Sequence, residues 1–273
     1  MLQARLLEQK SIFLMAVFLY VSLTCTVQAK NLTCYSTELP PYVINKNNVI
    51  SGIDVDIIKE AAKRTGITVD FKLLPWVRLE NELKKGNASE VECAFSYAKN
   101  EARKSYMVFT DVPIKLTSYV LFAKKGVFNK EASIEVLKGK RIGLRRGFIV
   151  PGEFEQIRRR NEMVVEEIDS DVANFTKLEK GRLDGVITNS EVGYSIMSSS
   201  QLESIIAIEL AIQKVPTYVV FNKEKQLTIE LAAFNKAIKE IATDGTSKKI
   251  RDGYMHFSSA PHSSDIAKTT TLP

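Results

Sequence analysis

Between residues 31 and 95 the spacing of apolar side chains changes period again and again, and this alternation restricts the fold more than any other feature of the chain. Residues 31–35 read as a short strand running into Pro40 and Pro41, a pair that favours a turn, and a polar stretch through Asn45, Asn47 and Asn48 is hairpin-like. Gly52 then opens a helix. Asp54 and Asp56 fall in its first turn, where the helix dipole favours anions, Val55, Ile58 and Ala62 share one apolar face, and Gly66 ends it. Ile67, Val69, Phe71 and Leu73 alternate as a strand, Pro75 suits the first turn of a second helix carrying Leu79 and Leu83, and residues 91–95 read as a third strand. Strand, helix, strand, helix, strand in that order implies a parallel sheet.

The alternation then repeats. Strands are expected at 117–123, 141–144, 163–168 and 183–187, with helices near 153–160 and 171–180. After another strand at 215–221, a helix over 227–244 displays Ile229, Ala232, Ala233 and Ile238, and 247–254 reads as a short closing helix. Residues 258–273 are polar without a hydrophobic period and are expected to be a disordered tail. Two α/β units of roughly 100 residues each suggest two lobes with a cleft between them. Ligands of such sheets bind outside the carboxyl ends of the strands.

Composition narrows the function classes. With 45% hydrophobic and 26% charged residues, the chain has apolar material for one or two packed cores, which excludes global disorder. A net charge of +6 is mild for 273 residues, and the basic residues form only short clusters among acids, so no nucleic-acid partner is implied. The histidines are His256 and His262, near or in the polar tail, which argues against a histidine-based triad or a multi-histidine metal site. No Walker loop or Gly-x-Gly-x-x-Gly follows a predicted strand, and no cofactor or metal is expected.

Arg5 and Lys10 precede an apolar run over 12–23 that is too short to cross a bilayer as a helix, and Val27 and Ala29 supply the small-x-small pattern of a cleavage site before Lys30. Residues 1–29 therefore read as a cleavable signal peptide, and the chain as a periplasmic protein. Its mature part keeps Cys34 and Cys93, an even pair in an oxidising compartment. They can bridge only if their strands are neighbours, and two separate buried thiols fit the sequence equally well.

The run 52–62, Gly-Ile-Asp-Val-Asp-Ile-Ile-Lys-Glu-Ala-Ala, resembles the signature of the family 3 extracellular solute-binding proteins, the polar amino-acid receptors of ABC importers. Residues 96–103 look like that family's serine-to-arginine loop, 181–187 (Gly-Arg-Leu-Asp-Gly-Val-Ile) like its second-lobe strand, and Asp244, Gly245 and Thr246 with Lys249 and Ile250 like its closing helix. The resemblance spans about residues 32–255. It implies an α/β, type II periplasmic-binding-protein fold: two doubly wound lobes joined by two hinge crossovers, lobe 1 from 30–121 and 218–257, lobe 2 from 122–217. In that topology the strands of Cys34 and Cys93 are neighbours, which implies a disulfide between them.

The same resemblance places a ligand site. Arg103 matches the family's carboxylate-binding arginine, whose planar fork can make two parallel charge-assisted hydrogen bonds that a lysine cannot. Ser96 matches a ligand-holding position. Trp76 falls where the family has an aromatic wall, although Trp76, Leu79 and Leu83 also fit an ordinary helical core stripe. Leu39 stands where the opposite wall would be. In lobe 2 the carboxylate-binding segment corresponds to Arg146, Gly147, Phe148 and Ile149, which has lost its hydroxyls, and Arg146 could add a second positive charge. The aspartate that usually accepts the ligand ammonium corresponds to Asn189, with Glu38 and Glu191 as substitutes. The implied function is a periplasmic receptor for a small carboxylate-bearing solute, an amino acid or relative, delivered to an inner-membrane ABC permease. The alternatives are a dehydratase-like enzyme on the same fold, distinguished by turnover of a cyclohexadienyl acid, and a sensor subunit that presents ligand to a membrane receptor.

Overall fold

The computed structural model describes residues 30–129, 132–210 and 212–255, so the expectations for the signal peptide at 1–29 and the tail at 258–273 lie outside the described residues. Strand β1 (Asn31–Ser36) leads to a hairpin of β2 (Ile44–Lys46) and β3 (Val49–Ser51), helix α1 (Ile53–Thr65), β4 (Thr68–Leu73), α2 (Trp76–Lys84), β5 (Cys93–Ala98), the single turn α3 (Glu101–Lys104), β6 (Met107–Phe109) and β7 (Lys115–Thr117). Then follow β8 (Tyr119–Lys124), β9 (Arg141–Arg145), α4 (Glu153–Arg159), β10 (Val164–Ile168), α5 (Asp171–Glu179), β11 (Gly185–Asn189), α6 (Ser190–Ser199) and β12 (Ile205–Ile208). The chain ends its described part with β13 (Val215–Asn222), α7 (Thr228–Thr243) and α8 (Thr246–Met255).

These strands form two main sheets, ordered β4-β1-β5-β13-β6 with β7 paired to β13, and β10-β9-β11-β8-β12. β1 is parallel to β4 and β5, and β9 is parallel to β10 and β11, as strands connected through helices must be. Periodicity alone implied parallel pairing throughout, but β13 runs antiparallel to β5 and β8 antiparallel to β11. Both arrive from the other sheet rather than by a helical crossover, so nothing forces them parallel. The expected strand over 117–123 is divided at Ser118, where the chain changes sheet, and it re-enters the first sheet at Val215. The two crossings are adjacent, because Thr117 of β7 pairs with Val215 of β13.

Helix α1 shows why the sequence folds as it does beside the site. Gly52 has φ 127°, and a Cβ there would sit 2.3 Å from the Tyr42 carbonyl oxygen, so only glycine fits. That approach lets Ile53 and Asp54 donate their free first-turn N–H groups to the Pro41 and Tyr42 carbonyls. At the other end Gly66 takes the left-handed conformation and closes the helix. The Tyr254 hydroxyl of α8 accepts from Gly52 N–H and donates to Asp56 at 2.6 Å, tying α8 to the same corner. Helix α7 corrects the expected apolar face. Phe234, Ala237, Ile238 and Ile241 are buried at i, i+3, i+4, i+7 spacing, and Ile229 lies off that stripe, 80% exposed. Cys34 and Cys93 stand in register on β1 and β5 and form a disulfide, with Cα atoms 4.4 Å apart.

Candidate functional site

The carboxyl end of β5, the start of α2, β7 and β13 face the loop after β9 and the end of β11 across a cavity of about 30 Å³. Leu39, Trp76, Ser96, Arg103, Gly147, Phe148 and Asn189, all anticipated from the sequence, line it together with Lys115, Thr117 and Thr217. A larger groove of about 740 Å³, lined by Pro41, Ile44, Lys249 and Tyr254 among others, holds none of the anticipated residues. The smaller cavity is the candidate site, because buried charged groups converge there.

Arg103 sits in α3, whose start is capped by Asn100 Oδ1 accepting Arg103 N–H at 2.7 Å. Its side chain is 3% exposed. Glu80 accepts along one edge of the guanidinium, from Nη2 at 2.9 Å and from Nε at 3.4 Å, and the Ala98 carbonyl accepts from Nη1 at 3.0 Å. Across the cavity the Gly147 carbonyl stands 3.5 Å from Nη2. The fork is thus oriented from behind, and of its five N–H donors one is left without a partner in these contacts. Burial works to raise the Glu80 pKa, but hydrogen bonds and charge from Arg103, with the Tyr106 hydroxyl at 2.7 Å, hold it below the usual carboxylate value. Trp76 stacks on Tyr97 with centroids 4.4 Å apart, and the guanidinium carbon lies 5.6 and 5.1 Å from the two rings. Trp76 packs with Leu79 and Leu83, as the helical stripe implied, and it also lines the cavity.

Ser96 is the outlier of β5. The β5–β13 register shifts so that Tyr97 faces Tyr218 and Phe95 faces Val219, which leaves Ser96 in a bulge with φ 68°. A bulge re-aims one side chain at the expense of a ladder bond, here into the cavity. The Ser96 hydroxyl bonds Asp54, which also pairs with Lys115, and the Lys115 and Asp54 side chains are 1% and 0% exposed. Burial pulls the Lys115 pKa down and Asp54 opposes it. The Lys115 ammonium also lies 3.8 Å from the centre of the Tyr42 ring.

From the second sheet, Gly147 has φ 77°, and a Cβ on it would fall 2.8 Å from Trp76 Cδ1. Phe148 meets Trp76 edge-on at 5.4 Å. Asn189 caps α6, its Oδ1 accepting from Glu191 N–H at 2.9 Å, with the Tyr42 hydroxyl at 3.5 Å. Two anticipated residues are not brought to the cavity. The Arg146 side chain is half exposed and pairs with Asp169 at 3.4 Å, and Glu38 is exposed, only its carbonyl meeting the second half of the chain. Their neighbours take the inner positions. Arg145, buried on β9, donates to the Glu38 carbonyl at 2.9 Å, the Thr37 hydroxyl at 2.9 Å and Asp171 at 3.1 Å. Glu191 accepts from Ser190 at 2.5 Å and stands 3.8 Å from Arg251.

Sequence reasoning missed Lys115, Thr117, Thr217 and Arg145. The one signal for Lys115 was an isolated cation beside a predicted strand, and its pattern is inverted: Lys115 and Thr117 are buried while Leu116 is 57% exposed. Among the described residues, the buried groups without a hydrogen-bond partner include Trp76 Nε1, the Thr117, Thr217 and Tyr97 hydroxyls, and Asp54 Oδ1. No group of three or more His, Cys, Asp or Glu among the described residues is placed to hold a metal ion.

Two α/β sheets crossed twice by one chain, with a buried arginine fork at their seam, define a type II periplasmic-binding-protein fold, the build of a receptor for a small solute. Over residues 32–257 the chain matches the bacterial extracellular solute-binding proteins, family 3, and it belongs to that family. It is 25% identical over 229 residues to the arginine-binding extracellular protein ArtP of Bacillus subtilis, covering 79% of this chain and 82% of that one. It is 24% identical over 233 residues to the L-cystine-binding protein TcyA of the same organism, covering 84% and 82%. Among solved structures, an ancestral arginine-binding protein bound to arginine superposes with a TM-score of 0.71 at 24% identity, covering 82% of this chain and 97% of that one. The family and these relatives are binding proteins.

Proposed function

We propose that this chain is a periplasmic receptor that closes two lobes on a small carboxylate-bearing solute, an amino acid or a related molecule, and presents the closed form to an ABC permease. The observation that carries the reading is the Arg103 fork, buried at the seam, braced from behind by Glu80 and stacked near Trp76 and Tyr97. A braced guanidinium binds a carboxylate without first losing rotamer freedom. Contacts made by the solute to both halves at once would favour the closed form. The names of the relatives support the same class of solute, since one binds arginine and another cystine. No bond need be made or broken, and Ser96, Gly147, Phe148, Asn189 and Leu39 serve as walls and hydrogen-bonding groups.

Calorimetry on the purified protein tests this. Arg103→Ala is expected to weaken binding of the cognate carboxylate by about 2 to 5 kcal/mol, the range for truncating one member of a buried charge pair. Arg103→Lys is expected to lose much of the same affinity despite its charge. Unchanged affinity in both variants would remove Arg103 from the site and the reading with it.

A further inference from the structure

The side chains that line the cavity include two bases and no acid, and that limits what it can hold. This inference rests on the receptor reading above. The Lys and Arg side chains that line the cavity are Arg103 and Lys115, and no Asp or Glu lines it. The carboxylates that balance them stand behind: Glu80 braces the guanidinium and Asp54 pairs with the ammonium, and neither is a lining residue. Among the neutral groups, Trp76 Nε1 is a donor only and is buried without a partner among the described residues. The Thr117 and Thr217 hydroxyls are also unpartnered and can donate or accept, and the unpartnered Asp54 Oδ1 lies behind the wall on a carboxylate whose other oxygen already bonds Lys115 and Ser96. Asn189 uses its Oδ1 to cap α6, which leaves the donor Nδ2. The Ala98 and Gly147 carbonyls at the wall already face Arg103, at 3.0 and 3.5 Å.

An ammonium group brought here would give up its water for two basic side chains and an indole N–H, with no lining carboxylate to receive it, and an unpaired charge in such a place is strongly disfavoured. An anion rich in acceptors reverses each of those terms and gives the orphaned donors a partner. We propose that the solute is a small carboxylate without an ammonium group, such as a short dicarboxylate or a keto or hydroxy acid, rather than an α-amino acid.

The test compares acids with their amino counterparts on the purified protein: succinate against aspartate, 2-oxoglutarate against glutamate, lactate against alanine, with arginine and histidine added. Calorimetry is expected to show at least one acid binding about a hundredfold tighter than its amino counterpart, from the penalty of an unpaired buried charge. Asn189→Asp keeps the helix cap, because aspartate caps as well as asparagine. It exchanges the donor for a carboxylate and is expected to weaken the acid about tenfold or more while strengthening the amino counterpart. An amino acid that binds better than its deaminated analogue, with binding weakened by Arg103→Lys, overturns this inference and leaves the receptor reading standing. Failure of every carboxylate to bind, or binding indifferent to Arg103→Lys, overturns both.

Discussion

At the scale of single residues the seam is fitted within tenths of an ångström. Gly147 carries no side chain where one would strike Trp76 at 2.8 Å, and its φ of 77° is itself unfavourable for other residues. Gly147→Ala is therefore expected to weaken solute binding about tenfold or more, because the loop after β9 can no longer approach α2, with a stability loss of only about 1 to 3 kcal/mol from the backbone strain. Calorimetry and chemical denaturation on the same sample separate the two effects. Arg103, Trp76, Ser96, Gly147, Phe148, Asn189 and Leu39 were proposed for the site from the order of motifs along the chain, and they line one cavity. The choice between Arg145 and Arg146 was not legible, since Arg145 ends β9 and Arg146 follows it in the turn, and only the register of the strand decides which of two adjacent arginines is inside. Lys115 was hidden for a different reason. Burying a lysine while exposing Leu116 contradicts hydrophobic patterning, and it is tolerated because Asp54 waits below.

At the scale of elements, β1 and β5 are stapled by Cys34 and Cys93 across a sequence separation of 59 residues. Loop-closure arithmetic for that separation gives about 4 kcal/mol of stabilisation. Denaturation in guanidinium chloride with and without a thiol reductant is expected to show a loss of that order, with the carboxyl end of β5 kept in place by the rest of the sheet. The helices with clear punctuation were readable: α1 lies between Gly52 and Gly66, and α7 was placed to within a residue or two even though its buried face was not. The three-residue strand β6 is too short to show a period, and its position is set by pairing with β13, which lies more than a hundred residues further along the chain. Ser190–Ser199 is rich in serine and buries only Val192, Gly193 and Ile196, so it offers little amphipathic signal.

At the scale of the molecule, Arg145 joins the halves. It is held from its own side by Asp171, which Thr188 also bonds at 2.9 Å, and it reaches over to Thr37 and the Glu38 carbonyl. Arg145→Lys keeps a charge beside Asp171 but cannot serve both partners across the seam, and each hydrogen bond from a charged group contributes about 1.5 to 3 kcal/mol. The variant is expected to show a larger radius of gyration by X-ray scattering without solute, and saturating solute is expected to restore the native value. Connectivity at this scale came from the family resemblance, since periodicity does not say which sheet a strand joins. The two crossing segments are hydrogen-bonded to each other where Thr117 meets Val215, so in the proposed receptor the lobes would turn about a single spine, like the covers of a book. If that proposal holds, a pair of fluorophores placed across the fore-edge is expected to report the opening angle as one number that changes on adding solute, and an unchanged signal would count against the hinge.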